Sequence, residues 1–158
     1  MRELIYKPNL AKRIGATLLD YAIFLIPTWM YIMYFGYDND EGGKTVSGLM
    51  ALPIPLFWFL YFVVVEASYG ATFAHQALYL KVLTSKRNRV SFVNAFKRHL
   101  LDPIDIFFWG IPAIIAIKNS DKCQRLGDMV ADTIVINTKD ADQYDLAKAA
   151  FNSERISE

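Results

Sequence analysis

An aspartate inside an apolar run constrains this chain more than any other feature. Asp20 sits within the stretch Ile14 to Phe35, with Arg13 at its first edge. The run reaches the roughly 20 residues that a helix needs to cross a bilayer. A carboxylate about a third of the way along such a helix costs a few kcal/mol unless a group inside the membrane pairs, hydrates or protonates it. Asp20 is therefore a functional candidate by default.

Two further segments are apolar, Ser47 to Glu66 and Leu100 to Ile117. With 158 residues, 54% of them hydrophobic, and a net charge of +1, the chain is neither a basic nucleic-acid binder nor an acidic disordered tail. The pattern predicts an all-α integral membrane protein. It has two transmembrane helices, then a third span or a re-entrant hairpin, and a small cytoplasmic cap of amphipathic helix and short strands. Residues 1–136 form one membrane domain and 137–158 a polar tail. The first run is longer than a signal-peptide core, contains Asp20 and is followed by Tyr34-Phe35-Gly36-Tyr37 rather than a small-residue cleavage site, so it is expected to stay as a span. Cys123 is the only cysteine, which leaves no intramolecular disulfide and no cysteine-based metal site.

Trp29, Tyr31, Tyr34 and Tyr37 gather at the far end of the first span as an interfacial belt does, and Pro27 should kink it. Gly36 to Val46 reads as a solvated turn without EF-hand spacing. Pro53 and Pro55 predict an irregular start to the second span, which ends on Glu66. The polar region after it carries Lys81, Lys86, Arg87, Arg89, Lys97 and Arg98, and Arg2, Lys7, Lys12 and Arg13 precede the first span. The first loop has Lys44 alone. That asymmetry puts the N-terminus and the polar region in the cytoplasm. Tyr79 to Ser85 has strand composition and Lys86 to Arg89 reads as a charged, solvated turn. Ser91 can cap a helix with Phe92, Phe96 and Leu100 on one face, lying along the bilayer surface.

The third segment opens with Asp102-Pro103-Ile104-Asp105, the pattern of a helix start in which the aspartates act as caps. From Pro103 to Ile117 a helix covers about 22 Å, less than a bilayer core of about 30 Å. Asp132 to Thr138 reads as a strand able to pair with the one near Val82, which requires both on one side of the membrane. A re-entrant hairpin hinged near Trp109 to Pro112 fits that requirement better than a third crossing.

Arg13 with Asp20 in the first span, then Arg125-Leu-Gly-Asp128 and Ala131-Asp132-Thr133-Ile-Val-Ile, together resemble the RDD family of small prokaryotic membrane proteins, named for one arginine and two aspartates. Gly70-Ala-Thr72-Phe-Ala74-His75 resembles the family's Gly-x-Thr-x-Gly-Lys element, with Ala74 and His75 in place of its Gly and Lys. Asp132 replaces the usual Gly before Thr133. The resemblance implies a protein of the cytoplasmic (inner) membrane that takes part in transport, with some members linked to exchange of monovalent cations for protons.

On a helix Arg13, Thr17 and Asp20 share one face, but Arg13 and Asp20 are about 10 Å apart along the axis. Asp20 is thus expected to meet another element, with Arg98 and Arg125 as candidates, and Arg13 to meet Asp128. One reading makes Arg13, Arg98, Arg125 and Asp128 a charge network docking the cap on the spans. The other makes Asp20 a carrier of protons and cations, helped by Glu66, Thr17, Asp105 and carbonyls freed by Pro53 and Pro55. His75 and His99 read as surface residues. Exchange through so few helices implies a homo-oligomer, with a dimer as the simplest case. The competing function is a non-transporting membrane adaptor docking a partner protein through its basic cap. No nucleophile and base pair, His-rich metal motif or phosphate loop points to an enzyme, and no cofactor is called for.

Overall fold

The computed structural model describes residues 7–40, 42–106 and 108–141. Arg2, Glu41 and all of the polar tail beyond residue 141 lie outside them. Helix α1 runs from Leu10 to Phe35 and continues through Pro27; the Thr28 hydroxyl, 2.7 Å from the Phe24 carbonyl, donates to that turn. Its buried residues are Arg13, Ala16 and Asp20, spaced i, i+3 and i+7, while Leu18, Leu25 and Ile26 are more than half exposed. A water-soluble helix has the opposite pattern. Charges turned inward and leucines turned outward suit a helix whose solvent is lipid.

A two-rung hairpin, β1 (Tyr37–Asp38) against β2 (Lys44–Thr45), takes the place of the plain turn expected after α1. Helix α2 then spans Gly48–Tyr69. It opens with a 3-10 turn at Gly48–Ala51, just ahead of Pro53, in line with the irregular start that the prolines predict. Its middle, Phe59–Val64, is a π-helix, which the sequence did not announce. The wider turn buries Tyr61, Phe62 and Val63 in succession. Phe24 packs on Phe57 and Phe62 with ring centroids 5.6 and 5.8 Å apart, joining the two helices. Gly70, at φ 76°, ends α2 in the left-handed conformation that favours glycine.

The cap follows: α3 (Phe73–Ala77), β3 (Leu80–Thr84), α4 (Phe92–Leu100), α5 (Asp102–Ile106), α6 (Ile111–Asn119), α7 (Leu126–Val130) and β4 (Thr133–Asn137). Strands β3 and β4 pair antiparallel, with Val82 opposite Val135. Leu80, Val82, Val90 and Val135 form a small core that closes on Ala16 of α1, so the sheet sits against the first part of the first span. Ser91 caps α4 reciprocally with Asn94. Asp132, where the resemblance expects glycine, has φ 51°, a left-handed conformation that glycine adopts freely and that Asp tolerates.

Helices α1 and α2 are long and apolar enough to cross a membrane. The segment Phe92–Ile106 with Ile111–Asn119 is a third candidate, bent by 114°. The bend falls at Trp109 (φ 61°) and Gly110 (φ 79°). The β3–β4 ladder brings the chain before this segment beside the chain after it.

Candidate functional site

Two buried polar assemblies sit where the cap meets the spans. The first surrounds Asp20, 1% exposed. Its Oδ1 accepts from the Tyr61 hydroxyl at 2.6 Å and the Ala74 amide at 3.2 Å. Its Oδ2 accepts from the Thr72 hydroxyl at 2.6 Å and His75 Nδ1 at 2.7 Å. The π-turn of α2 brings Tyr61 here, and the Gly70 turn folds Thr72, Ala74 and His75 back over α1.

Arg98 and Arg125 do not answer Asp20. They are held by other carboxylates, and Asp20 meets two hydroxyls, an amide and an imidazole instead. Nor is His75 at the surface; it is 6% exposed. Burial pushes its ring below the ordinary histidine value, with the Asp20 hydrogen bond opposing. A neutral ring carrying its proton on Nδ1 accounts for the contact. Thr17 is absent from this site: it lines a separate cavity of about 210 Å³ with Arg13, Asp105, Ile114 and Arg125. Pro53 lines another, with Pro27 and Phe57.

The second assembly is ionic. Asp128 pairs directly with Arg13, accepts from Arg98 Nη1 at 2.6 Å and from the Arg125 amide at 3.1 Å. Arg98 Nε lies 3.1 Å from Glu66 Oε1, and Arg125 Nη2 lies 2.7 Å from Asp102 Oδ1. His99 bridges Glu66 Oε2 at 3.1 Å and Asp102 Oδ2 at 2.8 Å. All of these residues are less than a tenth exposed. Burial alone would raise the Asp128 carboxyl; Arg13, then Arg98 and Arg125, overcome it and hold that carboxyl well below the usual range.

Three sequence expectations are corrected here. His99 is 3% exposed and central to the cluster, not a surface residue. Asp102 serves His99, Arg125 and the Tyr21 hydroxyl, 3.2 Å away, instead of capping its own helix. Asp105 reaches across to the amides of Leu126 and Gly127, at 3.1 and 3.0 Å, and so caps α7 rather than α5. Gly127 fits because it has no side chain: a Cβ there would lie 2.5 Å from the Arg98 carbonyl. Of the residues singled out in the sequence, Arg13, Glu66, Arg98, Asp105, Arg125 and Asp128 come together, and Thr17 lies beside them on the cavity it shares with Arg13, Asp105 and Arg125, while Asp20 has its own set of partners. The i, i+3 spacing of Thr72 with His75 and of His99 with Asp102 was the available clue to the two histidines.

A pair of membrane-length helices with charged groups sunk between them and a small cap defines a multi-pass membrane protein. Residues 7–132 match the model of the RDD family, and the chain belongs to that family. No curated protein and no solved structure matches it. Among the described residues no group of three or more His, Cys, Asp or Glu side chains is arranged to hold a metal ion.

Proposed function

We propose that this protein exchanges protons for small monovalent cations across the membrane, with Asp20 and His75 as the proton-holding pair. The observation that carries the reading is that Asp20, buried on a membrane-length helix, faces a histidine and, among the described residues, no arginine. Exchange needs a carboxyl group that can hold either a proton or a cation. A carboxylate clamped by guanidinium has a permanent counterion and holds protons poorly; an imidazole changes charge near physiological pH. The resemblance places lysine at position 75, and this chain has a titratable ring there. Tyr61 and Thr72 supply neutral oxygens for a cation once the proton has left. Glu66 and Asp105, engaged with arginines or backbone amides, belong to the scaffold of this site in our reading.

The positive charges before α1 and after α2 support an N-terminus and a cap in the cytoplasm, at the inner membrane. The β3–β4 ladder supports a third segment that enters the bilayer and returns. Two spans and a hairpin enclose little, so the working unit is a homodimer.

A second reading, a non-transporting adaptor, is favoured by the exposed Lys86, Arg87, Arg89 and Lys97 on the cap. Flux separates the two. In sealed liposomes with an internal pH dye and an imposed proton gradient, the exchanger gives dye recovery on adding sodium, lithium or potassium but not choline. Silence with every cation in a well-inserted sample would overturn exchange and leave the adaptor.

A further inference from the structure

Charge counting in the ionic cluster leads to a proton site at His99. Glu66, Asp102, Asp105 and Asp128 bring four carboxylates; Arg13, Arg98 and Arg125 bring three guanidiniums. All are buried, and an uncompensated charge in such surroundings costs several kcal/mol. With all four carboxylates ionised the cluster lacks one positive charge, and among the described residues His99 is its remaining basic group.

Ring geometry gives the same answer independently. Nδ1 faces Asp102 at 2.8 Å and Nε2 faces Glu66 at 3.1 Å. A neutral imidazole has one N–H and one lone pair, so one nitrogen would point its lone pair at a carboxylate. An imidazolium donates from both. His75 differs, because the Asp20 carboxylate meets its Nδ1 alone and a neutral tautomer satisfies that contact. We propose that His99 holds a second ring proton at neutral pH and serves as the fourth cation of the cluster, bound between Glu66 of the second span and Asp102 of the third segment.

The groups around it act in both directions. Arg98, on the same helix, pairs with Glu66 Oε1; Arg125, at the start of α7, pairs with Asp102 Oδ1. Both arginines disfavour the proton. The two carboxylates favour it and contact the ring directly. From α1 the Tyr21 hydroxyl donates to Asp102, and from α2 the Phe62 ring lies 5.0 Å from the imidazole centroid. Losing the proton leaves the cluster with a net negative charge and turns a ring lone pair toward one of the two carboxylates, which breaks the bridge from Glu66 to Asp102 on that side. The proton is thus a fastener between the second span and the third segment, whether or not the protein transports.

The chain has two histidines, so ring nitrogen-15 NMR of the labelled, tag-free protein in lipid nanodiscs gives two assignable side chains. His75→Gln makes the assignment. At about pH 8, well above the ordinary histidine value, His99 is expected to show two protonated nitrogens and His75 one. A bare ring nitrogen on His99 at about pH 7 would overturn the proposal. Glu66→Gln balances three carboxylates against three guanidiniums and should lower the midpoint of His99 deprotonation by at least about one pH unit; an unmoved midpoint would overturn the charge balance. Asp102→Asn makes the same test should Glu66→Gln fail to fold, and the unmodified protein's titration decides alone should neither fold. No gradient or cation flux enters these measurements, so their failure would leave exchange standing.

Discussion

The Asp20 site and the arginine cluster lie at the same end of the same two helices, yet their chemistry differs. Around Asp20 one carboxylate meets two hydroxyls, an amide and one imidazole. Around Asp128 a carboxylate meets three guanidinium groups. Fixed charges of opposite sign lock a geometry, and removing one partner strands the others. Neutral donors and a titratable ring allow a carboxylate to change its occupant. In the proposed function the ionic assembly holds the geometry and the Asp20 site changes its occupant, a difference that follows from the partners of each aspartate.

The largest effect that sharpens this contrast is loss of Asp128. Asp128→Ala leaves Arg13, Arg98 and Arg125 without their shared acceptor and should cost about 3–5 kcal/mol, read as a large drop in thermal unfolding temperature in detergent. Gly127→Ala comes next, at about 1–3 kcal/mol, because the new methyl meets the Arg98 carbonyl and neither backbone can yield freely. Asp20→Asn should be milder, about 1–2 kcal/mol, since the amide oxygen still accepts from Tyr61 or Thr72. A cost for Asp20→Asn equal to that of Asp128→Ala would break the comparison.

Acid should separate the two sites as well. The His75 ring is lowered in the folded protein, so the unfolded chain takes up that proton first. Its contribution is complete above about pH 6.5 and is lost as pH falls below that. The Asp128 carboxyl is also lowered when folded, so its contribution is present above about pH 3.9 and disappears only as pH falls further. Unfolding temperature followed against pH should fall in two stages, and His75→Gln should remove the first. The smallest expected effect is a gain: Asp132→Gly places glycine at φ 51° and should stabilise the fold by about 1 kcal/mol, measured as a raised unfolding temperature.

Features set by local pattern were legible in the sequence. The two spans follow from long apolar runs, the Ser91 cap from its place before Phe92, and the β3–β4 pair from two short β-rich runs. The position of the bend at Trp109–Gly110 follows from Gly110 and Pro112. What could not be read were contacts between distant residues that no periodicity encodes. Asp20 meets Tyr61 because a π-turn rotates α2, and His75 because a glycine turn reverses the chain, 55 residues further along. The same limit explains Asp105: a carboxylate three residues into a helix reads as that helix's cap, and only the fold shows that it reaches Gly127 instead. Histidines in a basic, polar stretch read as exposed until the elements carrying them are placed against carboxylates.

In the proposed exchange Asp20 is the group whose proton moves while the arginine cluster holds the frame. The most direct test is the initial rate of sodium-driven proton movement in liposomes containing Asp20→Asn, at matched protein insertion. Exchange through Asp20 requires a rate no greater than that of empty vesicles from a protein that still folds; a rate equal to that of the unmodified protein would rule it out.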